Sequence, residues 1–380
     1  MAVREGVLVL IGSGETGPRM ARVQREVVAA LRGTRDGRAR ATVIDTPYGF
    51  QSNADAVSDG LVDFLERRLR LAARVASLRR SDVDPLEQEQ AYARIATADL
   101  VFSGPGSPSY ALRHWSTTRV PELLLDALRR GAAVVLASAA AITSGRFTLP
   151  VYEIYKAGED ARWLPGLDLT TALGIGPAAV VSHWDNHEGA GHDTRYCFVG
   201  QRRLLELEAQ LPPEAFILGI DEHTALVLDL AQGMASVRGV GGVTIRRQGN
   251  ERRVEAGAVV ELVSLSGTGA LARKPQAMAE SPGRDEPDDA TEVDALVRRV
   301  LAVAPAEQRS GIVHLGELAA RALAQDDRLV PALIAALVEV RDAARSRGDY
   351  ATADLIRDRL GAMDIQLVDG ADRTRYRLVG

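Results

Sequence analysis

The sequence predicts an α/β protein with a doubly wound, mainly parallel sheet, followed by a small C-terminal helical domain that ends in a β-hairpin. Three observations predict this organisation. Over residues 1–265, short apolar runs alternate with segments of helical period, and this alternation favours a sheet covered by helices on both faces. Residues 266–290 are rich in Gly, Pro, Ser and acidic side chains and predict a flexible linker. Over residues 291–380 apolar residues recur at helical spacing, and two short strand-like runs follow.

The elements of the first domain follow from the period of its apolar residues. Continuous apolar runs predict strands that are buried on both faces, and amphipathic segments between them predict helices. Shorter runs separated by glycines then predict antiparallel strands that close one edge of the sheet, whereas residues 147–168 lack a period and predict an inserted loop. The buried strands are predicted at 6–11, 41–44, 73–78, 100–102, 134–137, 178–181 and 216–220, the antiparallel strands at 225–230, 235–240, 243–247 and 258–263, and the helices at 20–31, 53–71, 88–98, 121–130 and 197–211.

Composition excludes several classes of protein. The chain has 380 residues, a formal net charge of -5 and one cysteine, Cys197. The negative balance gives no electrostatic reason to expect binding to nucleic acid or to anionic membranes. A single cysteine excludes a disulfide framework and fits a reducing compartment. With no apolar run long enough to span a bilayer, the sequence predicts a cytoplasmic protein without a membrane partner.

Polar residues follow three of the predicted buried strands. Ser138 follows the strand 134–137, His183 follows 178–181 by one residue, and Glu222 follows 216–220 by one residue. A serine hydroxyl becomes a useful nucleophile beside a base, and the base needs an acid that fixes its tautomer. Because the carboxyl ends of parallel strands share one edge of a sheet, the three side chains are predicted to converge there. Backbone N–H groups of Ala139 and Gly106 are the predicted oxyanion hole.

The residues around Ser138 leave an alternative open. A strained strand–nucleophile–helix turn carries glycines two residues before and after the serine, and these places hold Leu136 and Ala140. The alternative is a degenerate binding protein that uses the same fold and pocket. It predicts ordinary backbone geometry at Ser138 and a His183 side chain beyond hydrogen-bond reach.

Two further patterns suggest cofactors. The loop 12–18 is rich in glycine, but its spacing fits neither the dinucleotide fingerprint nor a Walker A loop, so it is predicted to be a loop over the carboxyl edge of the sheet. His183, His187 and His192, with the nearby Asp185, Glu188 and Asp193, could also hold zinc. Their spacing matches no zinc motif, and the segment contains two glycines. The prediction is a polar substrate loop, with no metal and no cofactor.

A set of segments matches a known pattern: Gly12–Glu15, Gly104–Gly106, Ala137–Ala141, His183 at its strand end, and Gly219–Ala225. Together they resemble the serine peptidase family that contains cyanophycinase and aspartyl dipeptidase, over about residues 5–265. The resemblance implies a class I glutamine amidotransferase-like fold, peptide or amide bonds beside aspartate as substrates, and no metal. It assigns Ser138 as nucleophile, His183 as base and Glu222 as orienting acid. The predicted contacts to a small-molecule or peptide substrate are Glu15, Tyr48, Asn186, His187, His192 and Arg195.

The end of the chain has a resemblance of its own. Residues 345–360, together with 365–376, resemble the C-terminal module of cysteinyl-tRNA synthetases, which binds the anticodon region. No nucleotide-binding signature and no cysteine-rich zinc site accompany it, so ligase activity is not expected. From residue 281 onward the chain has 14 arginines, no lysine and 18 acidic residues, a net charge of -4 that is poorly suited to phosphate. The module is predicted either to bind tRNA or to serve packing and homodimerisation.

Overall fold

The computed structural model describes residues 6–31, 38–187 and 192–266, the strands 365–369 and 374–378, and single helical positions between 334 and 360. The chain divides into two compact units, residues 1–276 and 277–380. The predicted linker, 266–290, lies outside the described residues except for its first position. Each unit is described by itself below.

The first unit contains fourteen described strands and nine described α-helices. Three of the helices begin at a proline, α1, α3 and α4, and the fixed φ of proline favours that first helical position. The strands are β1 Val7–Ile11, β2 Arg40–Ile44, β3 Ala72–Ala76, β4 Leu100–Ser103, β5 Ala133–Ala137, β6 Phe147–Thr148, β7 Leu164–Pro165, β8 Ala178–Val181, β9 Phe216–Ile220, β10 Thr224–Asp229, β11 Met234–Gly239, β12 Gly242–Arg247, β13 Asn250–Glu255 and β14 Val259–Glu261. The helices are α1 Pro18–Ala30, α2 Ala54–Arg67, α3 Pro85–Ala96, α4 Pro108–Trp115, α5 Val120–Arg129, α6 Ala139–Thr143, α7 Val151–Tyr155, α8 Leu169–Ala172 and α9 Gly200–Glu208.

The larger sheet has eight strands in the order β14-β11-β10-β1-β5-β4-β2-β3. The five strands from β1 to β3 in this order are parallel, and β10, β11 and β14 extend the sheet in antiparallel fashion beyond β1. Successive residues of β1 point to opposite faces: Leu8 and Leu10 join one apolar core, and Val9 and Ile11 join another. The mixed α/β fold is therefore confirmed, with parallel strands at the centre of this sheet.

The predicted strands do not all enter one sheet, and this expectation was wrong. A second sheet of six strands has the order β13-β12-β9-β8-β6-β7, with β6, β8 and β9 parallel. Val180 and Leu218 from this sheet share the core that covers Leu8 and Leu10, while Val181 and other residues of its opposite face pack in a separate core with α9. The two sheets therefore cover one common core, and β8 and β9 pack against the larger sheet without hydrogen bonding to its strands as members of that sheet.

Several elements differ from the sequence prediction. The helix α4 and the strand β13 were not predicted, and residues 147–168 contain β6, α7 and β7 instead of a plain loop. The helix predicted from Cys197 begins at Gly200, because residues 196–198 all have positive φ and a right-handed helix cannot include them.

In the second unit, the strands β15 Ile365–Asp369 and β16 Thr374–Leu378 form an antiparallel hairpin, as predicted. Helical positions described before it include buried Ile334, Leu337, Val340, Ile356 and Leu360. The remainder of the predicted helical domain lies outside the described residues. Within the described part of the chain, every helix is too short or too polar to cross a bilayer.

Candidate active site

Ser138 occupies a strained turn between β5 and α6. Its φ is 49° and its ψ is -115°, a conformation that L-residues avoid and that glycine adopts easily. Such strain persists only when the surroundings over-determine the backbone. It exposes a hydroxyl at the carboxyl end of a buried strand, as in a nucleophile elbow.

Hydrogen bonds fix the backbone of Ser138 at both ends. Its N–H donates to the carbonyl of Ile11 on β1, at 2.9 Å, and its carbonyl accepts from the N–H of Ile142, at 3.1 Å. The Ser182 hydroxyl donates to the same carbonyl, at 3.2 Å. Ala140, at the place of an elbow glycine, is fully buried. These contacts hold the strained turn without the flanking glycines.

His183 lies on the turn after β8, and its imidazole reaches Ser138. The distance from Ser138 Oγ to His183 Nε2 is 2.9 Å. His183 also has a positive φ, 50°, and its carbonyl accepts the N–H of Cys197 at 3.1 Å. The N–H of the next residue, Trp184, donates to Ile220 of β9 at 3.0 Å. The turn is therefore anchored on both sides of the histidine.

Glu222 completes a continuous relay. Its Oε1 lies 2.9 Å from His183 Nδ1, and this hydrogen bond is the main cause that lowers the pKa of the Glu222 carboxyl, assisted by the nearby His223 and His187. An ionised carboxylate can only accept, so Nδ1 carries the proton and Nε2 is free to accept from the serine hydroxyl. The backbone N–H of Glu222 donates to Asp185 Oδ1 at 2.7 Å, which ties the turn after β9 to the turn after β8.

The predicted oxyanion donors lie on neighbouring elements. Ala139 is the first residue of α6, and its N–H, like that of Gly106, donates to no group among the described residues. The loop that carries Gly106 touches α6, because the Ala140 N–H donates to the Gly104 carbonyl at 3.3 Å. Gly106 has a φ of 138°, and a methyl group there would lie 2.0 Å from the Pro47 carbonyl oxygen. Only glycine fits this position of the loop.

Glu15, a predicted substrate contact, lies on the loop between β1 and α1. Its carboxyl is close enough to His183 and His223 to interact electrostatically with both. A methyl group placed on Gly104 would lie 3.8 Å from Glu15 Oε1. Burial is the main cause that raises the pKa of this carboxyl. Glu15 therefore belongs to the surroundings of the relay.

Other predicted substrate contacts take different positions. His187 and His192 are exposed at the two ends of the segment 188–191. His187 is near enough to Glu222 to help lower the pKa of its carboxyl. Asn186 is buried, and its N–H donates to the His183 carbonyl at 3.3 Å. The structure thus leaves His187 and His192 exposed to solvent, whereas Asn186 belongs to the turn that carries His183.

Tyr48 and Arg195 were also predicted as substrate contacts, and neighbouring groups hold the polar atoms of both. The Tyr48 ring is buried, its hydroxyl pairs with Ser58 at 3.1 Å, and burial raises its pKa to about 12. Arg195 forms a bidentate pair with Asp193, at 2.8 and 2.9 Å, whose carboxylate also accepts the N–H of Gln201 in α9. The polar groups of both residues are thus engaged within the protein.

The structure bears on two alternative chemistries, a metal site and a cysteine nucleophile. Among the described residues, no three His, Cys, Asp or Glu side chains are grouped so that they could hold a metal ion. Cys197 is buried beside the His183 turn, and burial raises the pKa of its thiol to about 12. A thiol with so high a pKa is a poor nucleophile.

Sequence reasoning missed three supporting side chains. Asp185 holds the Glu222 N–H, Ser13 Oγ accepts the N–H of His223 at 3.1 Å, and the Phe198 ring lies 6.0 Å from the His183 ring between centroids. Asp185 carries the clearest signal, because it is an acid two residues after the predicted base. The other two depend on contacts between elements distant in sequence.

The comparisons with known proteins bear on the fold. No family model matches the chain. A solved structure of a peptidase from an acI-B1 actinobacterium is 20% identical and aligns with a TM-score of 0.55, covering 69% of this chain and 98% of that one. The chain therefore shares an α/β fold with that protein over the aligned length. A structure described as a candidate peptidase E protein from Listeria monocytogenes EGD-e aligns with a TM-score of 0.41 at 14% identity, covering 67% of this chain and 100% of that one.

One curated protein that matches the chain belongs to a different class. A cysteine–tRNA ligase from Moorella thermoacetica is 26% identical over 207 residues, which is 46% of this chain and 42% of the ligase. The chain thus spans less than half the length of the ligase it matches.

Proposed function

We propose that the chain is a serine-dependent hydrolase of amide or peptide bonds. Ser138 is the nucleophile, His183 the general base and Glu222 the orienting acid. The observation that carries this proposal is the unbroken relay from Ser138 Oγ through His183 to Glu222, with both hydrogen bonds at 2.9 Å. A hydroxyl, an imidazole and a carboxylate in this order form the arrangement that activates serine for acyl transfer.

The geometry supports the following sequence of steps. Ser138 Oγ attacks the scissile carbonyl carbon while its proton moves to His183 Nε2, and Glu222 stabilises the resulting imidazolium. The N–H groups of Ala139 and Gly106 bind the oxyanion. When the C–N bond breaks, Nε2 gives the proton to the leaving amine and the acyl group stays on Ser138. Water then attacks the ester, His183 takes its proton, and release of the acid restores the serine.

The alternative of a degenerate binding protein predicts an ordinary Ser138 backbone and a distant His183. The φ of Ser138, 49°, is strained, and Ser138 Oγ lies 2.9 Å from His183 Nε2. Neither expectation of the binding protein is met. Strained backbone at a hydrogen-bonded relay costs stability and has no use in a binding protein. These two observations favour the hydrolase.

The finer assignment is to the type of cyanophycinase and aspartyl dipeptidase. Its support is the set of matching motifs, above all Gly219–Ala225, which carries the acid of the relay. The peptidase-like fold is compatible with this type. The proposed likeness to this type concerns the three catalytic residues.

Labelling with a fluorophosphonate probe tests the proposal. The probe should form a stoichiometric adduct on Ser138, found by peptide mass mapping, and Ser138→Ala should abolish it. Ser144→Ala is the matched control, because Ser144 is a buried serine of the same segment whose hydroxyl donates to the Ala141 carbonyl at 2.6 Å. An unlabelled folded protein, or an adduct that persists in Ser138→Ala, would contradict the proposal.

For the second unit, tRNA binding is a second candidate, which rests on the resemblance of residues 345–360 and 365–376 to the C-terminal module of cysteinyl-tRNA synthetases. The net charge of -4 from residue 281 onward favours packing or homodimerisation instead. Filter binding of tRNA at low salt separates the two: retention supports tRNA binding, and a dimer without retention supports packing.

A further inference from the structure

Glu15 lies across the end of the strand that carries the nucleophile. The strands β1, β5 and β4 are neighbours in that order. Glu15 extends from the loop after β1, and its Oε1 comes within 3.8 Å of a methyl group placed on Gly104, which follows β4. A side chain that spans from β1 to β4 passes over the end of β5. Ser138 stands directly at that end.

The backbone of Glu15 is held in place. Gln24 of α1 is fully buried, and its side-chain Nε2 donates to the Glu15 carbonyl at 2.7 Å. The adjacent Gly14 packs against His223, because a methyl group on Gly14 would lie 2.3 Å from His223 Nδ1. The backbone that carries Glu15 is therefore held next to the turn of His223.

The surroundings of the Glu15 carboxyl provide little compensation for its charge. Within the described part of the chain, its titratable neighbours are the imidazoles of His183 and His223, and no arginine or lysine pairs with it. A half-buried carboxylate without a cation is costly, and a bound cation offsets that cost. An acyl group that reaches Ser138 must pass beside this carboxylate.

We propose that Glu15 is a specificity-determining residue that binds a primary ammonium group on the acyl part of the substrate. This inference rests on the proposed hydrolase function, since it places the acyl group at Ser138. An ammonium group donates up to three hydrogen bonds and fits a carboxylate, while a carboxylate at the same place is repelled. The site therefore selects amides whose acyl part carries an amine close to the scissile carbonyl.

Three alkyl fluorophosphonates of equal length, ending in an ammonium, a methyl or a carboxylate group, test the inference. The second-order rate of Ser138 labelling is measured by intact mass. The ammonium probe should react about tenfold faster than the methyl probe, as expected for one charge-assisted hydrogen bond, and the carboxylate probe should be slowest. Glu15→Gln should bring the ammonium-to-methyl ratio close to one, and Glu15→Asp should restore part of it. Glu26→Gln, which removes an exposed carboxylate of α1 that pairs with Arg22, should keep the wild-type ratio.

A second measurement separates the two proposals. Calorimetric titration of the Ser138→Ala protein compares alaninamide with isobutyramide, its neutral isostere, and only alaninamide should bind in a Glu15-dependent manner. Equal labelling by all three probes, or an unchanged ratio in Glu15→Gln, would overturn the role of Glu15 while the hydrolase stands. Selective alaninamide binding without any labelling would overturn the hydrolase while Glu15 keeps its ligand. Absence of both would overturn both.

Discussion

At the scale of single residues, backbone strain is concentrated around the relay. Ser138, His183 and His223 have φ values of 49°, 50° and 51°, although none of them is glycine. Each such residue costs on the order of 1–3 kcal/mol. Hydrogen bonds with neighbouring segments hold all three turns, so the stability of the fold maintains the site geometry.

This strain gives a prediction for Ser138. Because glycine tolerates its φ and ψ, Ser138→Gly should unfold at higher urea concentration than Ser138→Ala, by about 1 kcal/mol in the free energy of unfolding. At Ser144, where φ is -70°, the order should reverse, with alanine more stable by about 0.5–1 kcal/mol. Tryptophan fluorescence is the suitable probe, because all three tryptophans lie in the first unit. Equal stability of the two Ser138 variants would show that the turn is relaxed.

Glu222 gives a second prediction, in pH. Its pKa is lowered in the folded state by the hydrogen bond from His183, so its ionised form stabilises the fold above the unfolded pKa, and that contribution is lost as pH falls through the folded pKa. The stability advantage of the wild type over Glu222→Gln should therefore shrink as the pH is lowered from about 5 to about 3.5. Glu26→Gln should show a much smaller dependence, because its exposed ion pair contributes little. A difference that stays constant over this range would contradict the hydrogen bond assigned between Glu222 and His183.

Residue-level prediction succeeded where a strand end limits the choices. Ser138, His183 and Glu222 each follow a buried strand, and the structure brings these three side chains together. Tyr48 also follows a strand, but its ring turns into the core, and the sequence gives no sign of that rotation. The expectation of glycines on both sides of Ser138 was misleading for a similar reason. Ser138 is held by a hydrogen bond to the Ile11 carbonyl and by one from the Ser182 hydroxyl, and both partners are distant in sequence.

At the scale of elements, α4 connects the loop that carries Gly106, the predicted oxyanion donor, to the helix α7. Ser107 caps the helix, with its Oγ accepting the Tyr110 N–H at 3.2 Å. The Ser107 hydroxyl lies 3.0 Å from that of Ser109, which donates to Glu153 Oε1 of α7 at 2.5 Å. This chain of hydrogen bonds begins one residue after Gly106 and ends on a different helix. It therefore fixes the loop that presents the Gly106 N–H.

Breaking this chain should slow the chemistry more than it harms the fold. Ser109→Ala removes the central link, and we expect the rate of fluorophosphonate labelling to fall about fivefold or more, since a loosened donor stabilises the oxyanion less well. Glu153→Gln keeps an acceptor for Ser109 and should have a smaller effect. Ser116→Ala is the control, because its hydroxyl donates to Leu112 at the opposite end of α4. A loss of stability in Ser109→Ala at an unchanged labelling rate would assign the chain a purely structural role.

The elements that sequence analysis missed are short or polar. In β13, Val254 is the one apolar residue, because the strand lies at the edge of its sheet. A signal was nevertheless present: Gln248 and Gly249, both with positive φ, form the two-residue turn of a β12–β13 hairpin. The division into two sheets left no such sign, since periodicity identifies strands but not their partners.

At the scale of the whole molecule, the site is assembled from two sheets. The larger sheet supplies Ser138 after β5 and Glu15 after β1, and the smaller sheet supplies His183 after β8 and Glu222 after β9. Because the sheets share one apolar core, the distance between nucleophile and base depends on the packing of that core. Sequence reasoning placed all these residues on the edge of one sheet and missed the second sheet.

This assembly predicts that the first unit is sufficient for the chemistry. Every group assigned to the relay, the oxyanion loop and the Glu15 contact lies between residues 13 and 223, inside the compact unit 1–276. A chain that ends at residue 276 should therefore label at Ser138 within about twofold of the full-length rate, because a compact unit with its own core is expected to fold by itself. Its urea unfolding curve, followed by tryptophan fluorescence, should overlay that of the full chain. A chain ending at residue 240 is the control: it lacks β12, which pairs with β9 beside Glu222, and should neither label nor unfold cooperatively. If the 276-residue chain folds but labels much more slowly, the second unit contributes to the site, and the search for the missing group would begin there.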